Sequence, residues 1–310
     1  MKKPITIATR PSPLALAQTN YVRAALCQAH GLAGDDIVLY EIITKGDKIL
    51  DKPLADIGGK GLFTEELNRA LCEGDADIAV HSLKDLPTQN EAGLTIAAIP
   101  PRADPYDMLI SKNKDLAAIK KAGVIGTASL RRQAQILHHR PAINIVPLRG
   151  NIGTRLHKLE NDNTLDAIIL AAAGLERLAT LSLPPSLHMT RLCPAVLLPA
   201  AGQGALALQC RHDDTDILAL CAPLICGDTT DCVTAERAAL AGLDGSCRTP
   251  IAAFAQIKAD TLYLQVRLLA KDGSEMIDDT ISGARREARG LGAELAARLR
   301  KAAPHLIQKI

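Results

Sequence analysis

The chain has no tryptophan, only two phenylalanines and four tyrosines among 310 residues. A surface that stacks nucleic-acid bases would lack its rings, so a base-stacking partner is not expected. Excess charge is missing too, because 36 lysines and arginines face 34 acidic residues, for a formal net charge of +2. No global positive field then recruits nucleic acid or an anionic membrane, and any basic function must be local. Long apolar runs are also wanting. The basic start Met1-Lys2-Lys3-Pro4 leads only into the short run 5–8, which is no signal-peptide core. No stretch reaches the ~20 apolar residues that span a bilayer. A cytoplasmic location without a membrane partner is the expectation. Eight cysteines stand at 27, 72, 193, 210, 221, 226, 232 and 247, in neither C-x-x-C pairs nor zinc-type Cys/His spacing. Most are expected to be plain buried thiols, with no metal and no disulfide.

What is present is aliphatic. Hydrophobic residues make up 47% of the chain, enough for a core in each of the two or three domains that this length suggests. Runs of Ile, Leu, Val and Ala alternate with helical stretches, as in layered α/β proteins. Strands are expected over 5–9, 37–43, 77–81 and 94–99, with helices over 13–29 and 64–72 between them. Ser12-Pro13 supplies a cap and a first-turn proline. The proline-rich stretch 100–105 then breaks any regular element. A second α/β set follows, with strands over 108–111, 124–127, 143–148 and 167–170 and helices over 130–139 and 154–160. A strand over 205–209 is expected to return to the first sheet. From residue 232 the pattern changes to a helix over 234–243, strands near 251–258, 262–270 and 275–282, and a terminal helix over 284–302. Asp272-Gly273 marks a hairpin, so this last part reads as α+β with antiparallel strands. The expected domains are 1–100 with 200–219, then 105–195, then 222–310. Nothing calls for an obligate interface, and a monomer is expected.

Several motifs carry chemistry. His81-Ser82-Leu83-Lys84-Asp85-Leu86-Pro87 directly follows a strand, and strand carboxyl ends are where open α/β sheets place reactive groups. On placement alone, Lys84 and Asp85 read either as solvated loop charges or as working groups, and His81 as a core histidine. Arginines repeat the placement: Arg10 after the first strand, Arg131 and Arg132 after Thr127-Ala128-Ser129, Arg149 and Arg155 around the turn 150–153, and Arg177. Guanidinium forks pair with carboxylates or phosphates, so such a set suits a polyanion. Gly58-Gly59-Lys60-Gly61 is a lysine-bearing loop without P-loop spacing, and Gly202-Gln203-Gly204 precedes a strand where a dinucleotide fingerprint needs a helix. Cys247 lies in the turn-rich segment 243–250 beside Arg248, a cation that favours thiolate; an ordinary thiol and a reactive one both remain open.

Together these runs resemble the porphobilinogen deaminase (hydroxymethylbilane synthase) family. IATRPSPLALAQ from Ile7, GGKGLFTEEL from Gly58, ADIAVHSLKDLP from Ala76, GTASLRRQAQ from Gly126 and LRGNIGTRL from Leu148 match its motifs in order. DAIILAAAGLERL from Asp166, LPAAGQGALALQCR from Leu198, TAERA from Thr234 and LDGSCRTPIAA from Leu243 continue the series. The resemblance implies two α/β domains like those of periplasmic solute-binding proteins, with a hinge and a cleft between them, plus a smaller C-terminal α+β domain. It implies a transferase of haem biosynthesis that joins four porphobilinogen molecules, with loss of ammonia, into linear hydroxymethylbilane. The chain grows on a dipyrromethane cofactor joined by a thioether to the position of Cys247. By the same resemblance Asp85 is the catalytic carboxylate. Lys84, Ser129, Arg131, Arg132, Gly150 and Arg155 bind cofactor, and Arg10, Ser12, Lys60, Arg149, Arg177 and Gln203 bind substrate. Each pyrrole carries an acetate and a propionate, which accounts for so many cations. Asp56, Ala128 and Ser246 depart from the commoner family pattern, though none removes a catalytic group. The rival reading is an anion-binding clamshell receptor, which would leave Asp85 and the Cys247 loop without a task.

Overall fold

The structure, a computed structural model, describes residues 4–48, 61–178, 182–243 and 249–307. The chain opens with strand β1 (Ile5–Thr9), helix α1 (Pro13–His30), strand β2 (Ile37–Glu41), the one-turn helix α2 (Lys45–Lys48), helix α3 (Glu65–Glu73), strand β3 (Ile78–Ser82) and strand β4 (Leu94–Ala98). Next come β5 (Asp107–Ser111), β6 (Val124–Gly126), α4 (Leu130–His139), β7 (Asn144–Val146), α5 (Ile152–Asn161), β8 (Ala167–Ala171), α6 (Ala172–Arg177) and β9 (His188–Arg191). The chain then forms β10 (Leu206–Arg211), α7 (Thr215–Cys221), α8 (Gly227–Gly242), β11 (Ile251–Lys258), β12 (Thr261–Leu269), β13 (Met276–Ala284) and α9 (Ala288–Ala302). Within the described residues these elements form two compact units, 4–48 with 61–103 and 205–230, and 104–204 with 231–307.

In the first unit the strand order is β2-β1-β3-β10-β4, with β1 parallel to β2 and β3, and β10 antiparallel to β3 and β4. The second unit repeats that pattern as β7-β6-β8-β5-β9, with β6 parallel to its neighbours and β5 antiparallel to its own. It also holds the antiparallel sheet β11-β12-β13. The fold is therefore α/β, with a C-terminal antiparallel sheet. Successive strand residues point to opposite faces, and both faces of the first sheet are covered. Ile7, Ile78, Val80 and Leu208 pack with Val22 and Leu26 of α1, while Ala8 and Ala79 pack with Leu67 and Leu71 of α3. The third sheet lays Ala253, Leu264 and Val266 against Leu295 and Leu299 of α9 and Ala235 and Ala239 of α8.

Some elements differ from the sequence reading. The helix expected over 234–243 begins at Gly227, and the terminal helix begins at Ala288 after a 3-10 turn over Arg285–Glu287. Helices α6 and α7 and strand β9 were not expected. All three are short, between four and seven residues, so little periodicity marks them. Helix α5 begins at Ile152 rather than 154 because Asn151 caps it, its Oδ1 accepting from Thr154 N at 2.8 Å. Gly153 and Arg155 therefore sit inside the helix, and the turn shrinks to Gly150-Asn151.

Candidate active site

In the first unit, the carboxyl ends of the neighbouring parallel strands β1 and β3 carry the expected groups. Arg10 follows β1, and Ser12 caps α1, its Oγ accepting from Ala15 N at 3.3 Å. β3 runs into a 3-10 turn, Leu83–Asp85, that no periodicity announced. Leu83 and Leu86 are buried, at 1% and 6% exposure, and act as apolar pegs on either side of Lys84 and Asp85. Those two side chains are thereby thrust outward and exposed. Leu83 N donates to Ala205 O at 3.0 Å, and Gln18 Nε2 of α1 donates to Ser82 Oγ at 2.8 Å, so the turn is pinned to β10 and to α1. No described residue hydrogen-bonds the Asp85 carboxylate, which leaves its oxygens able to accept from a ligand.

Arg10 is not solitary. Its Nε donates to Asp47 Oδ2 at 3.2 Å, its Nη2 pairs with Asp47 Oδ1, and its guanidinium lies 4.3 Å from the centre of the Phe63 ring. Asp47 was missed by the sequence reading, because an acidic residue between Lys45 and Lys48 carries no mark of a partner 37 residues away. Behind Arg10, His81 is buried. Burial lowers its titration to about 4, with the Arg10 charge acting the same way and the Gln209 amide opposing. That amide lies close enough to influence the ring, yet His81 Nε2 and both Gln209 side-chain atoms lack a hydrogen bond of ordinary geometry.

In the second unit, Ser129 caps α4, accepting from Arg132 N at 3.4 Å, and the two arginines it introduces turn inward. Both are at least nine-tenths buried. Asp107, fully buried at the head of β5, accepts Arg131 Nη2 at 2.8 Å on Oδ2 and Arg132 Nη2 at 2.7 Å on Oδ1. Each arginine also donates to a main-chain oxygen, Arg131 Nη1 to Leu198 O at 2.6 Å and Arg132 Nη1 to Ile169 O at 2.8 Å. Burial depresses the Arg131 titration, and the Asp107 charge opposes that. Gln203, 1% exposed, donates to Pro105 O at 2.7 Å and Asp107 Oδ1 at 3.1 Å. One carboxylate among two guanidiniums leaves this buried cluster with a formal surplus of one positive charge among the groups named. The sequence reading missed Asp107, which it left just outside an apolar strand.

On the turn before α5, Gly150 adopts φ +109°, where a side chain would be strained and its Cβ would crowd Thr154 at 3.1 Å. Arg155 Nε closes the turn on Gly150 O at 2.7 Å. Arg149 is half-buried on the same turn. Arg177, at the end of α6, donates to Gly204 O at 2.8 Å. The 202–204 loop leads into strand β10, as its discounted fingerprint required. Lys60 and Cys247, with Asp56 and Ser246, lie outside the described residues. Of the other cysteines, Cys210 is pushed up to about 11 and Cys221 to about 12, chiefly by burial, so neither offers a thiolate near neutrality. Among the described residues no group of His, Cys, Asp or Glu is arranged to hold a metal ion, and no single helix is long and apolar enough to cross a membrane.

An exposed carboxylate and lysine at the carboxyl end of β3, with Arg10 at that of the neighbouring β1, is the placement that α/β enzymes give their reactive groups. Sequence comparison makes the assignment specific. Residues 5–219 match the family described as Porphobilinogen deaminase, dipyromethane cofactor binding domain, and residues 230–301 match Porphobilinogen deaminase, C-terminal domain. A porphobilinogen deaminase of Syntrophotalea carbinolica is 45% identical over 293 residues, covering 94% of this chain and 91% of its own. The chain belongs to the porphobilinogen deaminase family. Among solved structures it is similar to the periplasmic VFT2 domain of Bordetella pertussis BvgS, at 14% identity and TM-score 0.41, over 70% of this chain and 85% of that one. A Salmonella typhimurium periplasmic binding protein with high arginine specificity gives 13% identity and TM-score 0.40, over 72% and 91%. The receptor reading gains nothing from likenesses this distant.

Proposed function

We propose that this member of the family builds hydroxymethylbilane with Asp85 as its catalytic carboxylate, on a dipyrromethane attached to Cys247. The observation that carries the reading is the exposed Asp85 carboxylate on its pegged turn at the carboxyl end of β3. Arg131 and Arg132 share the one carboxylate of Asp107, so an acidic cofactor would add further negative charge to this buried pair of guanidiniums. Arg131 and Arg132, with Ser129, Lys84, Gly150 and Arg155, would hold the cofactor's carboxylates. When bound, the dipyrromethane supplies the pyrrole α-carbon from which the chain grows.

The protein's own groups do the rest. Arg10, Ser12, Lys60, Arg149 and Arg177 anchor acetate and propionate groups of incoming porphobilinogen, with Gln203 holding Asp107 and the 202–204 loop in place. Asp85 accepts a hydrogen bond from the substrate pyrrole N–H. Loss of ammonia leaves positive charge on that ring, and a fixed carboxylate stabilises it where it develops. The same carboxylate manages proton transfer at the ring. The near-balanced charge fits a chain that recruits neither nucleic acid nor an anionic membrane by charge alone, and we read it as a cytoplasmic monomer. The test is intact mass after rapid mixing of purified protein with limiting porphobilinogen. Masses should climb in steps of one pyrrole unit, to four, above a resting excess equal to a dipyrromethane. A protein without covalent excess that releases product would overturn the tethered scheme.

A further inference from the structure

Asp47 holds Arg10 along one edge only. A guanidinium offers five N–H groups, and this side-on pairing takes Nε and one N–H of Nη2. The end-on fork, Nη1 with the outer N–H of Nη2, bonds no described residue, and the side chain is 25% exposed. Phe63 covers one face of the guanidinium. A carboxylate arriving in the guanidinium plane therefore meets a two-donor fork, the geometry of bidentate pairing.

Asp47 is itself fixed from behind. Its Oδ2 accepts Thr44 N at 3.1 Å and Thr44 Oγ1 at 2.7 Å. Burial works against its charge, but the bonds from Arg10 and Thr44 hold its carboxyl below the usual carboxylate range, so it is an anion at neutral pH. Phe63 packs on the same turn so closely that a Cβ at Gly46 would clash with its ring, and Gly46 N donates to Leu62 O at 3.0 Å. Turn, ring and guanidinium form one packed group. The other titratable side chain that bears on Arg10, the buried His81, is neutral at pH 7.

We propose that Asp47 is a positioning residue for substrate binding: it clamps one edge of Arg10 so that the opposite edge stands as a preset fork for a porphobilinogen carboxylate. The inference rests on the reading of Arg10 as a substrate-binding group. A double-mutant cycle on holoenzyme tests it, with Asp47→Asn, Arg10→Leu and the pair, intact mass checking cofactor loading in each. Asp47→Asn should raise KM for porphobilinogen about tenfold, the scale of one weakened charge-assisted bond, with kcat within about twofold. Added to Arg10→Leu, it should do nothing further. An unchanged or lowered KM in Asp47→Asn, while Arg10→Leu still raises it, overturns the positioning role and leaves the Arg10 reading standing. An equal KM rise in both backgrounds also overturns it. If Arg10→Leu itself leaves KM unchanged, the Arg10 reading fails and the proposal falls with it. Should Asp47→Asn not fold, Thr44→Val removes one anchor of the same carboxylate; it should raise KM in the same direction, only when Arg10 is present, and no rise would contradict the proposal.

Discussion

Arg132 grips a single oxygen of Asp107 twice, from Nε at 3.1 Å and from Nη2 at 2.7 Å, while Arg131 takes the other oxygen at 2.8 Å. Removing the carboxylate charge strands two buried guanidiniums. Asp107→Asn should therefore lower the unfolding free energy by about 3 to 5 kcal/mol, the scale for breaking a buried pair by deleting one partner. Urea unfolding checks this. A loss under about 1 kcal/mol would place Asp107 among ordinary exposed ion pairs.

The same burial makes Arg132→Leu a folding variant as well as a binding one. It removes both bonds to Asp107 and the bond to Ile169 O. Stability and cofactor loading should fall together, the first read by urea unfolding and the second by intact mass. Normal stability with normal loading would contradict both roles.

His81 gives a pH signature. Its folded titration, brought down to about 4 by burial, lies below the ordinary histidine value of 6.5. Above about pH 6.5 both folded and unfolded states are neutral there, and the group adds no pH dependence. Between pH 6.5 and 4 only the unfolded state takes the proton, so stability declines as pH falls, by about 3 kcal/mol across the window. His81→Asn should flatten that slope relative to wild type when unfolding is measured at pH 7, 6 and 5. Parallel slopes in the two proteins would contradict a buried neutral imidazole.

Much of this was readable before any coordinates. Helix α4 spans the expected 130–139, and β1 the expected 5–9, because long or strongly apolar segments with caps announce themselves. The exposed placement of Lys84 and Asp85 also follows from their position after an apolar strand. What the sequence hid were partners distant along the chain. Asp47 lies 37 residues from Arg10, and Asp107 lies 24 and 25 residues from its arginines. Spacing cannot reveal such pairs, since only the sheet order brings them together. The inward turn of Arg131 and Arg132 was hidden for the same reason, as their motif reads equally well as two groups facing solvent.

Cys247→Ala should fold and carry no covalent dipyrromethane. The buried thiols Cys210 and Cys221 are held protonated far above neutral pH and offer no substitute nucleophile. Intact mass and the colour reaction with an acidic aldehyde reagent read the outcome. A variant that kept the mass excess would move the attachment to another residue.

The catalytic role of Asp85 is open to a single rate measurement. Asp85→Asn keeps the size of the side chain and removes its charge and most of its basicity, on an exposed turn whose pegs, Leu83 and Leu86, are untouched. Folding and cofactor loading should stay normal. Turnover of porphobilinogen by the loaded protein should fall by at least roughly 10² to 10³, the scale for deleting one preorganised electrostatic contact, and further if proton transfer is lost too. Turnover within a small factor of wild type, with mass confirming a loaded cofactor, would contradict the account.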